Sequence, residues 1–229
     1  MCSQNLESEK SIFRQFSYSQ DGEDIVLSAY YEDKEYIGFY VDIGAMHPFR
    51  FSNTQFFFER GWRGMNIDAN PATMSKFFTH RPKDINLEFA ISDKEEEIPF
   101  YIFQEPALST LSAERAKLLM EKGWELKCVN IVKAMPVNEM LDKYLPKNQR
   151  IDFISIDIES LELKVILNFD FDKFSPDFFL VEELSQFDCD YISCGQSDVH
   201  RVLFSKGYYA VAKTRRTVVY GRKCFLQKS

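Results

Sequence analysis

The chain has 229 residues, 45% of them hydrophobic and 22 of them phenylalanine, enough apolar side chain to fill one sizeable core. Its net charge of -7, with no basic cluster longer than Lys213 to Arg216, argues against a nucleic-acid partner, and no apolar run is long enough to cross a bilayer. Five scattered cysteines, Cys2, Cys128, Cys189, Cys194 and Cys224, contain no CxxC pair, so reduced thiols are expected rather than a disulfide frame or a zinc knuckle.

Residues 1–10 are polar and lack the apolar core of a secretory signal, which implies a cytoplasmic protein. Residues 11–31 open with an aromatic, polar segment and continue at helical spacing through Ile25, Val26 and Ala29, with Ser19 or Asp21 as the cap. Residues 38–43 are an apolar, β-branched run read as a buried parallel strand ending at Asp42, and the chain turns at Gly44. Ser52 is placed to cap a helix that turns Phe56 and Phe57 inward and stops at Gly61. Residues 64–67 form the next strand. Asp68, at its tip, follows the glycine turn by about 20 residues, the separation at which an acid accepts hydrogen bonds from two ribose hydroxyls.

Pro71 opens a helix that runs to His80 and is stopped by Arg81 and Pro82. Residues 86–90 supply a third strand, and 98–103, rich in strand formers, are expected to pair beside it or to start an extra hairpin. Glu95, Glu96 and Glu97 read as a solvated loop. Ser112 starts a helix with Leu118 and Leu119 inward and Gly123 as its stop, and 125–134 form a further strand. The helix 137–144 ends before Pro146. Residues 151–157 are a second fully buried strand, 161–167 a helix, 177–181 a third buried strand, and 198–205 a helix before Gly207. The chain closes with an antiparallel pair, 208–213 and 218–223. Trp62 and Trp124 are read as core.

Strands alternating with helices predict an α/β fold: one domain over 1–229, with an N-terminal helical segment over 1–37 and a doubly wound, mostly parallel sheet over 38–229. Ligands of such sheets bind beyond the carboxyl ends of the strands, so Asp42, Asp68, Asp157 and Glu182 should converge on one rim. A pyrophosphate needs three glycines at fixed places, and here only Gly44 is present, followed by Ala45, Met46, His47 and Pro48. A nucleoside without phosphates fits better. Arg215 with Arg216 is either a patch for a phosphorylated substrate or a solvated hairpin tip.

These segments, in this order, resemble the FkbM family of S-adenosylmethionine-dependent methyltransferases. The resemblance runs through FSYSQDGEDIVL (16–27), VDIGA (41–45), FSNTQFFFERGWRGMNIDANP (51–71), RPKDINLEFAISD (81–93), IDFISIDIESLELKVI (151–166) and PDFFLVE (176–182). It implies a class I methyltransferase, Rossmann-like, with seven strands, transferring a methyl group from S-adenosylmethionine to an oxygen of a sugar or nucleotide-linked sugar in surface-glycan biosynthesis. A non-sugar metabolite as acceptor, or an inactive module that binds the cofactor, are the alternatives. Carried over, Asp42 and Gly44 shape the methionine end of the cofactor site and Asp68 holds the ribose. Ser92 and Asp93 lie by the adenine, Gln20 and Glu23 over the cofactor, and Asn53 and Glu182 toward the acceptor. Two departures stand out: Ser160 replaces a glycine that often follows the acid pair after the fourth strand, and Pro48 stiffens the first loop.

Methyl transfer is an in-line displacement, so alignment dominates, and a base that takes the acceptor's proton adds about 10²–10⁴-fold. His47, Asp157 and Glu159 are the candidates. Asp157, Glu159 and Glu182 have a second use as oxygen ligands for magnesium, although no metal is assigned to the site. Phe16 or Tyr18 is a candidate to face the sulfonium cation.

Overall fold

The structure, a computed structural model, describes residues 15–158, 161–183 and 197–226. Ten strands are present in it: β1 (Phe39–Ile43), β2 (Arg63–Asp68), β3 (Ile85–Glu88), β4 (Ala90–Ser92), β5 (Glu96–Phe103), β6 (Leu126–Pro136), β7 (Phe153–Ile156), β8 (Phe178–Glu182), β9 (Tyr208–Lys213) and β10 (Thr217–Arg222). Seven of them build the main sheet in the order β3-β2-β1-β7-β8-β10-β9. Neighbours from β3 to β8 are parallel, and β10 alone runs against both of its neighbours. This is the mostly parallel α/β sheet with an antiparallel C-terminal pair that the alternation of elements predicts.

Every residue of β1, β7 and β8 is buried, because helices cover both faces of a parallel sheet and leave no side for polar residues. Side chains alternate between those faces. Val41, Ile43, Met65, Ile67, Ile154, Ile156, Phe179 and Val181 pack in one core, whereas Tyr40, Phe153, Phe178, Leu180 and Val219 pack in the other with Leu27, Phe57 and Trp62. Trp62 Nε1 donates to the Tyr36 carbonyl (3.0 Å), which satisfies the one polar atom of a fully buried ring.

Several elements differ from the sequence reading. The first described helix, α1 (Glu23–Ser28), starts after Gly22, whose φ of 92° no side-chain cap supports, because Asp24 turns back to accept from Ser17 Oγ, Ser19 Oγ and Tyr18 N. Helix α2 (Gln55–Glu59) is one short turn past Ser52, although Ser52 Oγ still accepts from Gln55 N (3.1 Å). Helix α3 (Pro71–His80) is capped by Asn70, which accepts from Ala72 N. In α4 (Ala113–Glu121), Ala116 and Leu119 point inward at i, i+3 spacing, leaving Leu118 exposed. Trp124 is exposed as well, so only one tryptophan belongs to the core.

The expected third strand divides at Phe89. Its first half is β3, at the edge of the main sheet, and its second half, β4, enters a separate three-stranded sheet of order β4-β6-β5. Residues 98–103 therefore pair antiparallel with β6, which stands between them and β4. Glu96 and Glu97 are strand residues rather than a loop, and Glu96 accepts from Ser92 Oγ (3.0 Å). After β6 the chain follows α5 (Val137–Tyr144) into β7, α6 (Glu162–Asn168) into β8, and α7 (Asp198–Ser205) into β9.

The crossover that brings β7 against β1 is the tightest point of the fold. Asp157 N donates to Ile43 O (3.0 Å), and a Cβ added at Gly44, where φ is 84°, would lie 1.7 Å from the Asp157 carbonyl oxygen. Gly44→Ala therefore combines a left-handed conformation with a backbone clash, and at least about 3 kcal/mol of destabilisation is expected. For a chain of this size that is a fall in melting temperature of roughly 6–12 °C, read from a thermal melt of variant against parent.

Candidate active site

Strands β1 and β7 are neighbours whose following connections leave in opposite directions, β1 toward β2 and β7 toward β8. A crevice opens at such a reversal, beyond the carboxyl ends of the strands. It is filled here by a cavity of about 500 Å³, within the range of small-molecule sites. Ile43, Gly44 and Ile67 form its floor, Phe89, Ala90 and Ile91 one wall, and Phe100 with the 3-10 turn Pro106–Leu108 its roof. The smaller sheet thus stands over the ends of the larger one. Arg50 and Glu105 (2.9 Å) join the loop after β1 to that roof.

Asp68 lies at the cavity wall and ties two loops together. Its Oδ2 accepts from Met46 N (3.0 Å) and its Oδ1 from Asn70 N (2.7 Å). Burial nevertheless outweighs these bonds and pushes its pKa up to about 6. Beside Gly44, two residues of the β1 loop line the cavity, Met46 (φ 47°) and Phe51 (φ 57°), and both are left-handed without being glycine. Such conformations cost on the order of 1–3 kcal/mol each and persist where neighbouring contacts hold them. Thr73 Oγ1 donates to Met46 O (3.0 Å), which adds a second anchor to that backbone.

Across the crevice, Asp157 and Glu182 line the same cavity, with carboxylate oxygens within 4.8 Å of each other. Asp157 opens onto the cavity on one side and is surrounded by protein on the others, so its pKa rises, chiefly by loss of solvent. The positive charges of Arg115 and Arg216 oppose that rise, and both guanidiniums also line the cavity. Glu162 completes a group of three carboxylates whose oxygens lie within 4.8 Å of one another. Its Oε1 accepts from Ile158 N (3.0 Å). A divalent ion would find oxygen donors there, with Glu162 in the place the sequence suggested for Glu159, a residue that lies outside the described residues together with Ser160.

Gln20 reaches the cavity from the N-terminal segment, which is strapped across its end. Asp21 pairs with Arg216 (2.8 Å), and Thr214 donates a short hydrogen bond to Glu23, so Glu23 holds the strap without lining the cavity. Phe16 is exposed, and the Tyr18 hydroxyl donates to Glu59 (2.7 Å); neither faces the cavity.

The other proposed residues sit elsewhere. Asp42 shares the Tyr40 face of β1, beneath the loop, and accepts from Thr54 Oγ1 (3.1 Å). Asn53 donates to Ser155 Oγ (3.1 Å) on β7. His47 Nδ1 accepts from Phe49 N and Arg50 N (both 3.1 Å), and burial with nearby Lys76 and Arg50 lowers its pKa, so its lone pair is spent on ordering the turn. Ser92 and Asp93 follow β4 away from the cavity, and Asp93 pairs with Lys164 (2.9 Å) on the surface.

Sequence reasoning saw Arg81 only as a helix stop. It is fully buried, and its two terminal nitrogens reach six oxygens, four of them in residues 48–55. The signal was available: three short polar residues, Ser52, Asn53 and Thr54, precede a phenylalanine-rich helix, and a charge follows another such helix.

A model of the methyltransferase FkbM domain matches residues 42–209, well over half of the chain. No curated protein matches it.

Asp42 offers a test of the electrostatics. Its pKa of about 6, raised by burial, lies above the ordinary carboxylate value that the unfolded chain shows, so the folded state holds the proton longer. The resulting stability is complete below about pH 4 and is progressively lost as pH rises through 6. Urea unfolding at pH 5 and pH 7 should show the parent losing on the order of 1 kcal/mol more over that interval than Asp42→Asn.

Proposed function

Because the chain belongs to the FkbM methyltransferase family, we propose that it moves a methyl group from S-adenosylmethionine to a hydroxyl of a sugar or nucleotide-linked sugar. One observation carries this reading: Asp68 at the end of β2, Gly44 just past β1, Asp157 just past β7 and Glu182 at the end of β8, four neighbouring strands, line a single cavity. The residues fit a phosphate-free adenosine with a cationic centre. The close pass at Gly44 leaves no side chain over the floor, the apolar wall of Phe89, Ala90 and Ile91 suits a base, and the lining acids favour a positive charge.

In this reading Asp68 receives the ribose hydroxyls with lone pairs left over from its two backbone bonds. Bound S-adenosylmethionine supplies a methyl group on a sulfonium that departs as a neutral thioether, so no acid is needed for the leaving group. The chain must hold the acceptor hydroxyl in line and take its proton as the oxygen–carbon bond forms. Asp157 is the base favoured by position, because it lines the cavity whereas the His47 lone pair is engaged in its turn. Glu182, whose carboxylate lies within 4.8 Å of it, is the neighbouring group through which that proton can pass on. If an ion occupies the three carboxylates, it would polarise the same hydroxyl.

Calorimetry of S-adenosylmethionine binding should give at least tenfold weaker affinity for Asp68→Ala and near-parent affinity for His47→Ala. Equal affinity for Asp68→Ala and the parent would sink the ribose assignment. With nucleotide sugars or a cell-envelope sugar pool as acceptors and product detection by mass spectrometry, Asp157→Asn should keep cofactor affinity and lose about 10²–10⁴-fold in turnover. Methylation of lipid or polyketide alcohols, with none of the sugars, would overturn the acceptor class.

A further inference from the structure

Arg81 holds the only guanidinium among the described residues that is wholly out of solvent. Its Nη1 donates to Thr54 Oγ1 (2.8 Å), Tyr40 Oη (3.3 Å) and Asn66 Oδ1 (3.3 Å). Its Nη2 donates to Pro48 O (2.6 Å), Gln55 Oε1 (2.9 Å) and Ser52 Oγ (3.2 Å). The rings of Phe58 and Phe77 lie 4.9 and 5.2 Å from its Cζ. Its carboxylate neighbours are reached through intermediaries. Asp42 accepts from Thr54, and Asp84 accepts from Tyr40 (2.5 Å) and Asn66 (3.1 Å).

A charge so deeply buried is a poor device for stability alone, since an apolar side chain of equal volume serves as well or better. It fixes geometry instead. A planar fork of donors satisfies acceptors only in one arrangement, and three of its six acceptors belong to the loop that carries Met46 and Phe51 in left-handed conformations against the cavity, with a fourth, Gln55, opening α2 directly after it. Met46 N in turn donates to Asp68.

We infer that Arg81 is a positioning residue for methyl transfer, its guanidinium fixing residues 44–55 from beneath so that the loop shapes the cavity and aims Asp68 into it. The inference rests on the reading of Asp68 as part of an S-adenosylmethionine site. It reaches the reaction through the loop and not through contact with any reacting atom, because Arg81 does not line the cavity.

The test uses the full chain with Arg81→Lys, which keeps the charge on one nitrogen unable to span both sets of acceptors, and Arg81→Met, which keeps volume and ring contacts but no donors. Both are measured for thermal melting, amide hydrogen exchange and S-adenosylmethionine affinity. Arg81→Lys, which leaves part of the buried acceptor set unpaired, should melt below the parent yet remain folded, exchange faster within 44–55 than in the rest of the sheet, and bind the cofactor at least tenfold more weakly. Guanidinium ion at low millimolar concentration, refilling the space in Arg81→Ala, should restore both slow exchange and affinity, while ammonium should not. If Arg81→Met or Arg81→Ala does not fold, the lysine variant decides. Unchanged exchange at 44–55 in Arg81→Lys overturns the inference, and so does exchange that rises evenly through the sheet, the mark of a purely structural role. A parent protein that binds no S-adenosylmethionine overturns the cofactor reading instead, and the exchange pattern still judges whether Arg81 fixes the loop.

Discussion

The chain leaving β1 passes so close to the chain leaving β7 that no side chain fits between them, and the arrangement of the site follows from that contact. Gly44 meets the Asp157 carbonyl where a Cβ would overlap it, while Gly44 N and Ala45 N both donate to Ile67 O on β2. Three strand ends are thereby locked in register. The loop after β1 must then swing away from β7, and Asp157 and Asp68 are left on opposite sides of the gap. A parallel sheet provides such a crevice wherever its winding reverses. At Gly44 the backbone itself lines the cavity, since no Cβ fits there.

Much of this was legible because strand order and side-chain alternation are written in short runs. Residues 38–43, 151–157 and 177–181 are mostly apolar, their polar residues being Asp42, Asp152, Ser155, Asp157 and Asp177, and all three became central strands buried on both faces. Asp68 was readable from its spacing to Gly44. Asp42 was grouped with it as a strand-end acid, yet one step of alternation separates it from Ile43 and puts it with Tyr40, under the loop rather than in the cavity. That distinction lay in the sequence. The second sheet did not, because the division of β3 from β4 at Phe89 and the pairing of β5 with β6 depend on contacts across a connection that no local pattern encodes. The position of Ser92 and Asp93 outside the cavity lining has the same origin: their strand leaves the main sheet for the second one, and only its Ala90 and Ile91 reach the cavity wall.

Electrostatics divide the site in two. Asp42, Asp68 and Asp157 all have raised pKa values, and in each case loss of solvent is the largest cause. Around Asp42 the compensating charge is Arg81, beneath the loop; around Asp157 it is Arg115 and Arg216, in the cavity. Asp68 has only backbone N–H partners to favour its charged form. It is thus the carboxylate for which an added hydrogen-bond donor or cation does most, whereas Asp157 already works within a balanced set. A site whose acids are held unfavourably in the empty protein stabilises a donor-rich, positively charged ligand through the same desolvation that weakens the fold near neutral pH.

The covering elements are held quite differently from the floor. Below the cavity, the loop after β1 is fixed by buried hydrogen bonds to one guanidinium and by bonds to Asp68 and Thr73, each of which loses its partner without replacement from water if broken. Above it, the roof is joined to that loop by the exposed Arg50–Glu105 pair, and the N-terminal strap is joined to the β9–β10 turn by Asp21 with Arg216. Solvent-exposed ion pairs of the first kind are worth about 0–1 kcal/mol, and salt screens them further. The roof is held chiefly by apolar packing instead, Phe100, Ile102 and Ala134 forming one buried cluster with Ala69 and Ala90. A methyltransferase must hold donor and acceptor in line and yet release both products in each cycle, so the polar contacts that fix the loop below the cavity serve alignment, while the exposed ion pairs at its rim add little resistance to exchange.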